Sequence, residues 1–202
     1  MKKNIFTGLS IAVFIIMLFT CNAQAGVATD RIKTATDKLI EILNNHDLDP
    51  PEMAEKRASM IRKTVDTVFD WGAFSQRALG RHWRKLTKEE KKEFIPLFGQ
   101  LIERTYMDKT RQYSGQQMNF LSEETDEKYG TVEAEVIIKN ETNIPIQFRV
   151  IKRNEKWFIY DVRVEGVSLV NNYRDQFNEI MTKSGYKVLI SRLKTKLDEE
   201  KK

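Results

Sequence analysis

The chain has 202 residues, with 34 Lys plus Arg against 29 Asp plus Glu, two His and one Cys. That length suits one domain, or two small ones, and 41% hydrophobic content is too high for a disordered chain. A lone Cys excludes an internal disulfide and a Cys-based zinc site, and two His leave little room for a His-rich metal centre.

The first 25 residues read as an export signal. Lys2-Lys3 supplies the positive start, Ile11 to Phe19 an unbroken apolar stretch, and Ala23 and Ala25 the small residues that precede a cleavage point before Gly26. A permanent membrane anchor needs about 20 apolar residues, more than this run offers. A lipoprotein signal around Cys21 would place a small residue before it and disfavour the bulky Phe19. With cleavage after Ala25, Cys21 leaves with the signal. Two lysines and no carboxylate leave too, so 177 residues remain as a single domain, 26–202, with a net charge of +3.

Ile32, Ala35, Leu39, Ile42 and Leu43 recur at helical spacing and predict a helix from Thr29 to Asn44. Asp47 to Pro51 is a break, and Pro50-Pro51 opens a second helix expected to run to about Asp70. Trp71 to Trp83 reads as one or two short helical turns with Gly80 as a C-cap. Thr87 and Glu90 form a capping box for a longer helix ending near Tyr113-Ser114-Gly115, and Pro96 inside it predicts a kink or restart.

After Gly115 the period changes from 3.6 to 2. Met118 to Leu121, Thr131 to Lys139, Ile144 to Arg153 and Lys156 to Val164 predict an antiparallel meander of about four strands with one face buried. A helix follows from Leu169 to Lys183, with Ser168 as its N-cap, then a shorter one from Lys187. Helices, a meander and helices again make an α+β arrangement, with helices packed on a curved sheet.

Catalytic patterns are weak. Ser168 is not in a Gly-x-Ser-x-Gly elbow, there is no phosphate loop or paired-His spacing, and His46 and His82 read as surface and structural residues. Asp161 and Glu165 offer carboxylates, as any strand does. A mature charge of +3, spread among interleaved acids, is a poor footprint for nucleic acid. What stands out is the density of large apolar groups. Phe69, Trp71, Phe74, Leu79 and Trp83 crowd one short stretch, and Trp157-Phe158-Ile159-Tyr160 puts bulk on both faces of one strand. A filled core explains this, and so does a cavity for an apolar ligand.

Phe69-Asp70-Trp71 followed by Arg77 to Trp83 resembles a signature of the MlaC family, the toluene-tolerance proteins. Thr105-Tyr106 with Tyr113-Ser114-Gly115 resembles a second family segment, and Trp157 to Arg174, continued by Gln176-Phe177, a third. With Gly185 and Leu189 the likeness extends from about Asp30 to Leu193. Trp71 stands where the family has Phe, and Phe158 where Val is common; both keep the apolar character.

The resemblance implies an NTF2-like α+β fold and a periplasmic phospholipid carrier, monomeric, with no cofactor beyond its lipid cargo. Such a carrier shuttles between an outer-membrane lipoprotein–porin complex and an inner-membrane ABC transporter bearing a lipid-transfer ring. A diacyl lipid exposes on the order of 30 methylenes at about 0.8 kcal/mol each, so a soluble carrier must bury both tails. On the predicted inward faces the expected lining is Phe69, Trp71, Leu79, Phe98, Leu101, Tyr106, Met118, Val136, Phe148, Val150, Tyr160, Val162 and Val164, with Arg149, Arg163 or Arg174 at a headgroup rim. Without a nucleotide site, direction would come from differential affinity at the two docking partners. Two other readings remain open: an NTF2-like enzyme, which requires a buried carboxylate or His in the cavity, and a ligand-free periplasmic adaptor, which requires a collapsed core.

Overall fold

The computed structural model describes residues 26–110, 117–138 and 142–199. The opening helix α1 (Val27–Leu43) is anchored by a carboxylate from the sheet. Gly26 has no side chain to cap it, and Glu123 instead accepts from the Thr29 backbone N–H and hydroxyl, both at 2.7 Å. An anion at a helix N-terminus satisfies free N–H groups and complements the dipole. This fixes α1 against the sheet.

Helix α2 (Ala54–Asp66) stops four residues before the sequence pattern suggests. The backbone of Val68 to Asp70 is taken by a strand instead. Ile159 N–H donates to the Val68 carbonyl at 2.7 Å, and Asp70 N–H donates to the Ile159 carbonyl at 2.9 Å. Two sheet-type bonds to a buried strand outweigh one more helical turn, and they pin Phe69 in place. Asp70 then caps α3 (Trp71–Leu79) by accepting from Ala73 N–H at 2.7 Å. Gly80, at φ +51°, closes α3 in a conformation that favours glycine. A 3-10 segment, Gly80–Lys85, leads to α4 (Lys88–Thr110). The reciprocal Thr87–Glu90 bonds at 2.8 and 3.1 Å form the expected capping box. Helix α4 runs through Pro96 as one element, so the anticipated restart does not occur. The Tyr113-Ser114-Gly115 end of the segment lies outside the described residues.

The strands are β1 (Gln117–Thr125), β2 (Tyr129–Ile137), β3 (Ile144–Arg153), β4 (Lys156–Val164) and the two-residue β5 (Val167–Ser168). They pair in sequence order, all antiparallel, so among the described residues the sheet has five strands where about four were expected. Asn154 and Glu155, both at positive φ, make the tight β3–β4 turn. The decisive irregularity is a bulge in β4. Arg149 pairs with Asp161 and Val150 with Ile159, which leaves Tyr160 as the extra residue. Trp157, Ile159, Val162 and Val164 therefore share one apolar cluster with α1, although strict alternation would split them. Tyr160 is turned to the other face, with Phe158, Ile151 and Ala73.

Helix α5 (Leu169–Lys183) has the expected bounds and the expected Ser168 cap, at 3.1 Å from Asn171 N–H. Buried Asp161 reaches across from β4 to accept from the Ser168 hydroxyl at 2.7 Å and from Val170 N–H at 3.1 Å. Gly185, at φ +78°, starts α6 (Gly185–Glu199), which equals α5 in length rather than being shorter. Helices α3 to α6 bury a second cluster, in which Phe74, Phe94, Phe98, Tyr173 and Phe177 interlock. Their ring centroids lie 5.0 to 5.6 Å apart. Among the described residues no helix is long and apolar enough to cross a membrane.

Candidate functional site

Between the α1–α2 pair, α4 and the start of α5 the packing does not close. A cavity of about 570 Å³ remains. Leu39 and Leu43 of α1 form one wall, with Ile61 and Val65 of α2 beside them; each pair is spaced by four residues and so shares a helix face. Ile95, Gly99 and Ile102 of α4 form the opposite wall, and Val162 and Leu169 the floor. Phe69 and Trp71 close one end, stacked with centroids 4.8 Å apart. The tryptophan ring packs against α4 at residue 99, where a Cβ would meet it at 3.6 Å, an ordinary van der Waals contact. A glycine in mid-helix costs about 1 kcal/mol relative to alanine, and here it borders the cavity without projecting a side chain into it.

Polar side chains are confined to α2 and α4. Arg62 holds Glu103 in a two-point pair at 2.7 and 2.9 Å, and Asp66 accepts from the Trp71 indole N–H at 2.7 Å. Gln100 completes this edge, and the exposure of Arg62, Asp66 and Pro96 marks it as the mouth. Each carboxylate already has a partner. The interior therefore offers surface and volume rather than reactive groups, and a guest would be held by transfer of apolar area from water.

Of the expected lining residues, Phe69, Trp71 and Val162 border the cavity. Leu79, Phe98 and Leu101 are buried in the helical cluster instead. Met118, Phe148, Val150 and Val164 pack beneath α1, and Val136 is a half-buried β2 residue paired with Met118 and Ile144. Tyr160 faces away because of the bulge. Tyr106 lies on α4, and its side chain is outside the described residues. The three rim arginines border other features. Arg149 lies over the Tyr160 ring, Arg163 donates to Gln147 at 3.2 Å, and Arg174 donates to the Arg77 carbonyl at 2.8 Å. The polar edge found is Arg62, Asp66, Gln100 and Glu103.

Leu39 and Leu43 stand out in the sequence only for their helical spacing, and Ile61, Val65 and Ile95 line the cavity without any local signal that sets them apart from core. The usable signal was Gly99: an isolated glycine within a strongly helical pattern asks for a packing reason.

The family model described as MlaC protein matches residues 33–195. The chain belongs to the MlaC family. Its relative in Haemophilus influenzae, the intermembrane phospholipid transport system binding protein MlaC, is 22% identical over 192 residues, covering 91% of this chain and 90% of the relative. A solved structure, the phospholipid-binding protein from Ralstonia solanacearum in complex with a phospholipid, superposes with a TM-score of 0.75 at 23% identity. It covers 88% of this chain and 100% of that one. This likeness establishes the NTF2-like α+β fold of the MlaC family for the present chain.

Proposed function

We propose that this MlaC-family chain is a periplasmic carrier that buries the acyl chains of a phospholipid in the cavity between α1, α2 and α4. The observation that carries the reading is the cavity itself. Its volume lies within the 300–1,000 Å³ range typical of ligand sites, its walls are aliphatic and aromatic, and its polar groups are gathered at one edge. A lipid has the same division, with apolar tails and a polar head. Arg62 is placed to meet a phosphodiester if it exchanges its bond to Glu103. The names of the two relatives, which concern phospholipid binding and intermembrane transport, agree with this division.

On this reading residues 1–25 direct export and are removed, Cys21 with them, and intact mass of the exported protein will correspond to a chain beginning at Gly26. The cargo passes between an inner-membrane ABC transporter bearing a lipid-transfer ring and an outer-membrane lipoprotein–porin complex. Its direction is set by which partner binds the loaded or the empty form more tightly. The test is extraction of fluorescent phospholipid from vesicles by the purified protein, then delivery to vesicles carrying either complex. Uptake and partner-dependent delivery are expected. Absence of uptake would remove the carrier reading; uptake with delivery independent of either complex would remove the partners.

A further inference from the structure

A second concave feature lies at the far end of α3, and nothing in the carrier reading uses it. It is an open groove of about 620 Å³ between the C-terminal end of α3, the 3-10 segment after it, the β1–β2 turn, β3 and α5. Five of its ten lining residues are cations, Arg77, Arg84, Lys128, Arg153 and Arg174, and none is acidic. Across the whole chain acids are nearly as frequent as bases, so the lining of this groove is far more one-sided than the chain's composition.

The groove shares no lining residue with the cavity. Trp71, at the cavity, opens α3, and the groove's lining on that helix begins at Gln76, roughly 7.5 Å further along the axis at 1.5 Å per residue. The two features also use opposite faces of the sheet, since Val162 faces the cavity while Ile151 lines the groove. The head of a lipid seated in the cavity does not serve this groove.

Several of the cations are held in place. Arg77 lies over the Tyr160 ring at 3.8 Å and donates to the Ala73 carbonyl at 3.4 Å. Its own carbonyl accepts from Arg174 Nε at 2.8 Å. Arg153 is partly neutralised by Asp70, at 3.3 Å. Asp126, on the adjoining turn, spends its carboxylate on the backbone N–H groups of Lys128 and Tyr129. Arg84 and Lys128 are exposed.

We infer that this groove is a docking surface for the anionic phospholipid headgroups of a membrane. Four of the five cations are arginines, whose planar forks match phosphate oxygens. Tyr129 and Trp83 at the same groove are the ring types that settle at headgroup level. Cations near an anionic bilayer act additively, and their effect is screened by salt. The groove thus holds the carrier at a membrane independently of what the cavity contains.

The test is co-sedimentation with vesicles of phosphatidylcholine alone, or of phosphatidylcholine with about a third phosphatidylglycerol, at low and high salt. The wild-type chain is compared with Arg84→Gln/Lys128→Gln, whose melting temperature should be unchanged, and with Gly99→Leu, which fills the cavity. Wild type and Gly99→Leu should bind the anionic vesicles and release them at high salt. Arg84→Gln/Lys128→Gln should bind roughly thirtyfold more weakly at about one unit of surface attraction per cation. Equal binding to both vesicle types, undiminished binding by the double variant, or no vesicle binding at all would overturn the inference. Perturbation of groove resonances by inorganic phosphate without vesicle binding would replace it with a soluble-phosphate site. Loss of binding in Gly99→Leu alone would make vesicle association a property of the cavity.

Discussion

Phe98 and Gly99 are neighbours on α4, yet they belong to different kinds of interior. Phe98 is fully buried among Phe74, Phe94, Tyr173 and Phe177, ring against ring. Gly99 faces Trp71 across the edge of a 570 Å³ void. Both regions are built from the same residue types. What separates them is how close the backbones approach: α3 to α6 meet and interdigitate, while α1 and α2 stand off from α4. Apolar density alone does not distinguish a core from a binding cavity.

Substitutions in each region should separate the two properties. Phe98→Ala removes an aromatic ring from the closed cluster and should cost about 3–5 kcal/mol in denaturant unfolding. A loss below about 1 kcal/mol would mean that this cluster too has room to adjust. Ser168→Ala acts where the regions join, since Leu169 floors the cavity and Val170 is buried in the helical cluster. It removes the α5 cap and the donor to buried Asp161, and should cost about 1–3 kcal/mol.

Gly99→Leu should change stability by less than about 1.5 kcal/mol, because gained helix propensity offsets crowding against Trp71, and yet abolish lipid uptake. Destabilisation as large as that of Phe98→Ala would show that the void is not available volume. The smallest effect belongs to neither region. The backbone N–H groups of Tyr129 and Lys128 hold the Asp126 carboxyl below its usual range. A depressed carboxylate contributes stability above its unfolded pKa and loses it as pH falls through the folded value. The protection of the Lys128 and Tyr129 amides, measured as exchange relative to the intrinsic rate at each pH, should therefore fall as pH drops through the Asp126 titration in wild type, and this pH dependence should be lost in Asp126→Asn.

Much of the fold was legible. The bounds of β3, β4 and α5, the Thr87–Glu90 box and the Ser168 cap all rest on local spacing, and local spacing is what a sequence displays. The end of α2 was not legible, because a distant strand claims the backbone of Val68 and Asp70. Nor was the Tyr160 bulge, where one unpaired residue exchanges the faces of everything beyond it. The site suffered most. Phe69, Trp71 and Val162 were named, but Leu39, Leu43, Ile61 and Val65 have the same periodicity as helix residues that simply pack. Void and core differ by the separation of elements remote in sequence.

The most direct measurement is denaturing mass spectrometry of the protein purified from a lipid-rich host, wild type beside Gly99→Leu. The carrier account predicts phospholipid with the wild-type chain and none with the folded Gly99→Leu variant. Wild-type protein that emerges empty and takes up nothing from vesicles, or a Gly99→Leu variant that retains its lipid, would contradict it.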